Sequence, residues 1–100
     1  MSREEFHEVL CDILGSRHVY YQPPETLKIT YPAIIYKLDN IKTTRANNDL
    51  YLADDRMAVT LVHKEPDNDI YMKLLKLQKS SLDRVYTKDN LNHYAFTIYI

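Results

Sequence analysis

The chain has 100 residues, with 13 basic and 14 acidic side chains, 45% hydrophobic residues and a formal net charge of −1. That size and balance indicate one globular domain, residues 1–100, and argue against a strongly charged protein that wraps nucleic acid or lies on a membrane surface. No apolar run approaches membrane-spanning length, and the N-terminus is acidic where a signal peptide would be basic. We therefore expect no membrane partner and synthesis in the cytoplasm.

Three residue types are unusually informative. A single cysteine, Cys11, rules out an internal disulfide, and a single glycine, Gly15, rules out a glycine-rich phosphate-binding loop. Nine tyrosines stand against two phenylalanines and no tryptophan. Because tyrosine has an apolar ring and a polar tip, it suits surfaces that become buried on assembly. We expect three tyrosines to line the core instead, with the hydroxyl at its edge: Tyr36, Tyr94 and Tyr99.

The first predicted element is a helix over residues 3–14. Ser2 followed by Glu5 is a capping-box pattern, and the acidic residues that follow Arg3 suit the positive end of a helix. Gly15 stands where a left-handed C-terminal cap belongs. The apolar residues of this segment share one helical stripe: Phe6, Val9, Leu10, Ile13 and Leu14.

Strands follow the helix. Residues 19–21 form a short strand that ends at two prolines, and the alternating residues 26–31 are interpreted as an edge segment that leads into Pro32. Residues 33–38 and 56–63 read as more buried strands.

A second helix is predicted after the sequence "EPDND", with Pro66 or Asp67 in its first turn or cap. Its apolar face consists of Ile70, Leu74 and Leu77, and its far side of Lys73, Lys76 and Lys79. A lysine row of this kind could touch nucleic acid, but a solvated face is the better interpretation.

Two more strands complete the chain. Residues 81–86 and 93–100 alternate, and Asp89 with Asn90 predicts the turn between them in place of glycine. The order α-β-β-β-α-β-β predicts an α+β fold: a mixed or antiparallel sheet with two packed helices, in which the chain ends inside its sheet.

The histidines and carboxylates are the candidates for a catalytic or metal-binding site. His7 and Cys11 lie one helical turn apart, but they lack an orienting third group, and we interpret them as an exposed imidazole and a thiol on the helix flank. His63, Glu65 and Asp67 fit a strand end that runs into a helix better than a metal site. We therefore expect no catalytic residue, no metal and no cofactor.

The other histidines and one pair of acids have structural interpretations. Asp54 and Asp55 are neighbours on a strand and point to opposite faces, so they form no acid–base pair. His18 adjoins two tyrosines in a short strand and is interpreted as structural. His93 begins the last strand and is expected to make a local hydrogen bond.

The segment from Leu38 to Arg56 is too long for an ordinary connection between two strands. Its ends alternate and its middle, "TTRANND", is polar, which predicts a hairpin whose strands continue past the core into an arm over roughly residues 39–55. Apolar residues on such an arm favour burial against another chain. The alternative is an arm that folds back over its own sheet. The apolar residues that we expect to be exposed on the arm of an isolated subunit are Ile41, Leu50, Tyr51 and Leu52.

Three stretches together resemble the small tail-terminator proteins of long-tailed bacteriophages, which are also known as tail-completion, head–tail joining or minor capsid proteins. They are "YPAIIYKLDNIKTTRANNDLY", "RMAVTLVHKEPDND" and "LDRVYTKDNLNHYAFTIYI". The resemblance extends over most of the chain, in the same order of elements. The three stretches consist of strand and turn residues and contain no catalytic motif.

This resemblance implies a structural virion protein that is not an enzyme. Its subunits would form a homohexameric ring at the tail–head junction, or neck, where the ring caps the tail tube and meets the head-completion or connector protein. DNA would pass through the lumen without specific binding. The long hairpin would lie near the lumen or a neighbouring subunit, and the virion would be assembled in the cytoplasm of the host bacterium. By position, the residues that the resemblance implies at an interface between subunits or with the tail tube are Ile41, Lys42, Arg45, Asn47, Asn48, Leu50, Tyr51, Leu52 and Arg56.

The sequence leaves three alternatives to a tail terminator open. The chain could be a head-completion or adaptor component of the same connector, although those tend to be richer in β-structure and to lack the first helix. It could be a small cytoplasmic protein that binds a host partner through the arm. It could also be a small enzyme that uses His7 and Cys11 or the acids of "HKEPD".

Overall fold

The computed structural model describes residues 1–46, 49–65 and 68–100. It has an α+β fold, with two helices and a mixed five-stranded sheet, in the predicted order α-β-β-β-α-β-β. The strands lie in the spatial order β1-β2-β3-β5-β4, with β1 parallel to β2 and the other neighbours antiparallel. The elements are α1 (Arg3–Leu14), β1 (Val19–Tyr21), β2 (Ala33–Ala46), β3 (Asp49–His63), α2 (Ile70–Leu75), β4 (Ser80–Lys88) and β5 (Leu91–Tyr99).

Helix α1 has both of its predicted caps. The Ser2 hydroxyl accepts a hydrogen bond from the Glu5 backbone N–H at 3.1 Å, which satisfies one of the first free donors of the helix. Gly15 adopts a left-handed conformation with φ of 80°, and its N–H donates to the Cys11 carbonyl at 2.9 Å. Sequence therefore determines both ends of this helix.

The predicted edge segment at residues 26–31 is wrong. The chain turns there, with the Leu27 N–H donating to the Pro24 carbonyl at 3.1 Å, and residues 27–30 form no strand. The reason is that β1 occupies the position beside β2 that this segment would need, pairing Val19 through Tyr21 with Ile34 through Tyr36. Of the alternating apolar residues, Leu27 is 42% exposed, while Ile29 and Tyr31 are half-buried without pairing as a strand.

Helix α2 is shorter than predicted. It begins at Ile70 and ends at Leu75, while Pro66 and Asp67, which we expected near its start, lie outside the described residues. Leu74 is fully buried, as predicted for the apolar face. Lys79 is not on the helix: it lies in the turn that leads to β4, with φ of 58°. The helix ends early because residues 76–79 make this turn.

The β4–β5 hairpin closes as predicted. Asp89 and Asn90 have φ of 54° and 62°, the positive values that a tight hairpin turn with the right-handed twist of its strands requires. Strand β4 contains a bulge at Asp83, because Leu82 pairs with Phe96 and Arg84 pairs with Ala95.

The core lies on one face of the sheet, beneath both helices. Cross-strand neighbours on this face are buried together, as in the row Tyr36, Val59 and Phe96. The last strand buries Tyr94, Phe96 and Ile98 as its alternation predicts. The members of the buried cluster are Phe6, Leu10, Cys11, Leu14, Val19, Ile34, Tyr36, Met57, Val59, Leu61, Leu74, Tyr94, Phe96 and Ile98.

Candidate assembly interface

Strands β2 and β3 continue beyond the core as a two-stranded arm. Their pairing runs from Ala33 opposite Val62, at the core end, to Ala46 opposite Asp49, at the far end. The molecule is accordingly elongated, with principal extents of 51 × 28 × 23 Å. Its radius of gyration, 14.6 Å, exceeds the value of about 13 Å that is typical of 100 residues. The predicted hairpin arm is confirmed in the paired backbone of its described residues.

A bulge at the start of the arm brings two apolar side chains onto one face. Leu38 pairs with Met57 and Asn40 with Arg56, so Asp39 is an extra residue that shifts the alternation of β2 by one. Leu38 and Ile41 thereby lie on the same face, and their exposed fractions are 39% and 47%. Exposed apolar side chains that adjoin one another beyond the core suit burial against another chain.

The other predicted arm residues lie along this ribbon. Lys42 pairs with Asp54, and a second bulge leaves Tyr51 as the extra residue between the pairs Thr44–Leu52 and Arg45–Leu50. Asn47 and Asn48 lie outside the described residues.

The base of the arm is held by charge and backbone contacts. The Arg56 guanidinium contacts the Asp39 carboxylate at 3.0 Å across the first bulge. Asp55 and Ile100 exchange two backbone hydrogen bonds, with N–O distances of 2.9 and 3.2 Å. Arg56, which we expected to contact a partner, thus lies at the base of the arm and binds within its own chain. Since this ion pair is half-exposed, it orients the base more than it stabilises the fold.

A half-buried polar cluster anchors α1 beside the arm. The Tyr36 hydroxyl lies 2.7 Å from His7 Nδ1 and 3.4 Å from the Arg3 guanidinium. Because a guanidinium only donates, the hydroxyl accepts from Arg3, and its own proton is then available to His7. The Arg3 guanidinium also lies 4.5 Å above the Tyr21 ring. These contacts join α1, β1 and β2 two residues before Leu38.

Tyr36 is the pivot of this cluster. Its ring is 1% exposed and makes an edge-to-face contact with Phe6, at 5.6 Å between centroids. Burial raises the pKa of Tyr36, while the hydrogen bond from Arg3 opposes that rise. The hydroxyl therefore stays protonated at neutral pH and serves as a structural donor. Sequence reasoning predicted a core tyrosine here but missed its polar partners. The signal was the helical spacing of Arg3 and His7, one turn apart.

The interpretation of His7 and Cys11 requires correction. His7 is half-buried against Tyr36, so its imidazole is not simply exposed. Cys11 is 4% exposed and belongs to the core, so it is not a flank thiol. Burial raises the pKa of the Cys11 thiol, which disfavours the thiolate that a nucleophile or metal ligand requires.

The remaining histidines make local contacts. His63 Nδ1 accepts from the Glu65 backbone N–H at 2.8 Å, and Asp67 lies outside the described residues. His18 lies 3.4 Å from the Tyr20 hydroxyl. His93 Nδ1 lies 3.1 Å from the Leu91 carbonyl oxygen, the local hydrogen bond that was predicted. Within residues 1–46, 49–65 and 68–100, no three His, Cys, Asp or Glu side chains come together as they would around a metal ion.

The acidic pair on β3 has separate partners. Asp54 lies 3.9 Å from the Lys79 ammonium, whereas Asp55 makes the backbone bonds to Ile100 described above. Of the described helices, none is both long and apolar enough to cross a membrane.

No family model matches the chain, and no curated protein matches its sequence.

Proposed function

We propose that this chain is a tail terminator of a long-tailed bacteriophage. Six copies would form a ring at the neck of the virion, which caps the tail tube and joins it to the head-completion or connector protein. The ring works by shape and catalyses no reaction. DNA passes through its lumen without specific binding, and assembly takes place in the cytoplasm of the bacterial host.

The observation that carries this proposal is the β2–β3 arm. A ribbon that continues past the core and exposes Leu38 and Ile41 has a surface that a lone subunit leaves in water. A closed ring of identical subunits buries such a surface by head-to-tail contacts, in which each arm reaches the next copy. The sequence resemblance described above supports the same assignment, since that family carries a long hairpin at this place.

The first helix favours a tail terminator over a head-completion component. Those components tend to lack an amphipathic first helix, whereas α1 here has two caps and contributes four buried side chains to the core.

The proposal is tested in particles that carry an arm deletion. Removing residues 43–49 leaves four residues, Leu50 to Ala53, between the paired positions Lys42 and Asp54, a length that suits a hairpin loop. We expect this variant to fold but to leave tails uncapped, so that tail length becomes irregular and few tails join heads. Electron microscopy of the particles measures both.

A control variant carries Leu27→Ser and Lys28→Ser in the exposed loop between β1 and β2, and it should give normal particles. In wild-type particles, a sixfold ring at the tube–head junction should fit this chain, with six copies of 11.9 kDa. Tails of normal length and normal head joining in the deletion variant would contradict the proposal.

A further inference from the structure

We propose that the arm of one copy docks on the α2–β4 surface of the next copy. In this contact the part of β3 within the arm, residues 49–55 (the β3 limb), pairs as a strand with the free edge of β4; the part of β2 within the arm, residues 39–46, is the β2 limb. The α2–β4 surface is defined here by the residues Met72, Leu75, Leu82 and Val85, with the free edge of β4. The inference rests on the proposed ring for its occupant, a second copy of this chain.

The first observation is an unpaired sheet edge. Strand β4 lies at the end of the sheet and pairs with β5 on one side, and no other strand of the described residues pairs with its far side. A free edge presents a row of backbone donors and acceptors that readily pair with another strand. Nothing in β4 blocks such pairing by a proline, since residues 80–88 read "SSLDRVYTK".

The second observation is apolar exposure beside that edge. Leu82 and Val85 are 37% and 55% exposed, although they lie opposite the buried Phe96 and Tyr94 on the helix side of the sheet. The Tyr71 ring of α2 stacks on Tyr94 at 5.1 Å, which brings α2 close to this edge. Met72 and Leu75 on that helix are 41% and 37% exposed. Half of the large exposed hydrophobic side chains described in the chain thus lie on α2 and β4, two elements that contact each other.

The third observation is that the arm has free edges of its own. Strand β1 accompanies β2 only as far as Tyr36, and β5 pairs with β3 only from Arg56 onward. Apart from the Asp55–Ile100 bonds, the two limbs of the arm are therefore each paired on one side only within the described chain.

The charge of the α2–β4 surface favours the arm of a second copy as its binding partner. The segment from Ile70 to Lys88, which includes the α2–β4 surface, contains five basic residues and one acidic residue. The arm, residues 39–55, contains four acidic residues and two basic residues. Three of those acids, Asp49, Asp54 and Asp55, are on the β3 limb, whereas both bases are on the β2 limb. Asp54 already contacts Lys79 within its own chain, which leaves two acids on the β3 limb against four bases and one acid in the segment from Ile70 to Lys88. Opposite charges favour approach of the β3 limb and disfavour docking of β4 on a second β4.

The contact is heterologous, because the arm and the α2–β4 surface are different parts of the molecule. Such a contact leaves each copy with one free arm and one free surface until the chain of subunits closes into a ring. The same contact explains why an isolated subunit exposes apolar residues at both places.

The decisive variant is Val85→Asp, matched by Leu27→Asp. Both residues are exposed large hydrophobics, at 55% and 42%, so both variants should fold, which circular dichroism checks. We expect Val85→Asp to raise the concentration needed for assembly by roughly tenfold or more, because it places a carboxylate in the apolar contact. Leu27→Asp should assemble like the wild type. Sedimentation velocity measures the oligomers.

A crosslinking experiment identifies the limb and does not depend on the folding of Val85→Asp. In a Cys11→Ala background, a chain with Ala53→Cys on the β3 limb is mixed with a chain carrying Thr87→Cys on β4 under mild oxidation, because a disulfide forms only where the two Cα atoms lie within about 7 Å. We expect crosslinked heterodimers. The matched chain with Thr43→Cys on the β2 limb should give far fewer.

The outcomes separate this inference from the proposed function. Oligomers that survive Val85→Asp, or equal crosslinking from the two limbs, would overturn the inference and leave the neck-ring proposal standing. Oligomers that require Val85 but are missing from the virion neck would overturn the proposed function and support the inference. A wild-type chain that sediments as a monomer even at high concentration would overturn the inference.

Discussion

The Tyr36 hydroxyl shows how one polar atom can organise the base of the arm. It lies at the end of a buried ring, 2.7 Å from His7, where α1 crosses β2. A buried hydroxyl without a partner would be costly, so the histidine and arginine of α1 stabilise both the helix position and the start of the arm.

Removal of this hydroxyl tests how much it contributes to the free energy of unfolding. Tyr36→Phe removes the contacts to His7 and Arg3 while keeping the ring, and we expect the free energy of unfolding to fall by about 1 kcal/mol. Tyr20→Phe is the control, since that hydroxyl has a 3.4 Å contact with His18 in a more exposed place. Urea unfolding measures both variants. Equal losses would contradict an anchoring role for Tyr36.

Cys11 predicts a dependence of stability on alkaline pH. Burial raises the pKa of its thiol above the unfolded value of about 8.5, so the thiol favours folding at lower pH. The stabilisation that comes from keeping this thiol neutral is fully present below the pKa of the thiol in the unfolded chain. It is lost as the pH rises through the higher pKa of the thiol in the folded protein. We expect Cys11→Ala to show a shallower decline in the free energy of unfolding from about pH 8 upward. Val9→Ala, which keeps the thiol, should decline as the wild type does.

At the scale of elements, α1 owes its limits to its caps. Gly15 ends the helix in a left-handed conformation, and an added Cβ there would meet no atom within 4 Å. Any cost of a side chain at this position therefore comes from the backbone conformation and not from a steric clash with the rest of the fold.

Two substitutions of Gly15 separate these causes. Gly15→Ala should lower the free energy of unfolding by about 1 kcal/mol, because alanine disfavours positive φ. Gly15→Asn should cost less, since asparagine tolerates this region. Thermal or urea unfolding measures the difference. A cost for asparagine that equals or exceeds the cost for alanine would contradict the assignment of this cost to the backbone conformation.

The β2–β3 hairpin combines two kinds of structure in one element. Near Tyr36 and Val59 it is a central part of the sheet, buried beneath the helices. Beyond the bulge at Asp39 it is a two-stranded ribbon. An isolated two-stranded hairpin is only marginally stable in water, so contacts with a neighbouring chain would add stability that the ribbon lacks.

At the scale of the whole molecule, the arm and the core contribute to different properties. Thr43, the first residue of this segment, is exposed, and residues 43–46 pair with β3 beyond the part of β3 that pairs with β5. We therefore expect the deletion of residues 43–49 to leave the free energy of unfolding of the monomer nearly unchanged while it prevents assembly. Urea unfolding combined with sedimentation velocity checks both parts. A deletion variant that no longer folds would show that the arm stabilises the core.

The shape of the subunit also suits closed assembly. Its arm extends the long axis to 51 Å. Strand β4 forms one edge of the sheet, and β1 forms the opposite edge. Two different surfaces at different places on one subunit produce head-to-tail contacts, which close into rings when the rotation between copies permits.

Features that depend on neighbouring residues could be predicted from the amino-acid sequence. The caps at Ser2 and Gly15 delimit α1, two residues with positive φ turn β4 into β5, and alternation identifies the buried face of β5. It also predicted the hairpin arm, because its strand pattern continues past the apolar core. These features are local, so propensity, capping and periodicity suffice to specify them.

Which distant residues contact one another depends on the packing of the whole chain. The parallel pairing of β1 with β2 displaced residues 26–31 from the sheet, and the bulge at Asp39 placed Leu38 and Ile41 on one face. Burial of Cys11 and the contact between His7 and Tyr36 depend on how α1 lies across the sheet. Such outcomes follow from competition for sheet edges and core space across the whole chain, which no local pattern records.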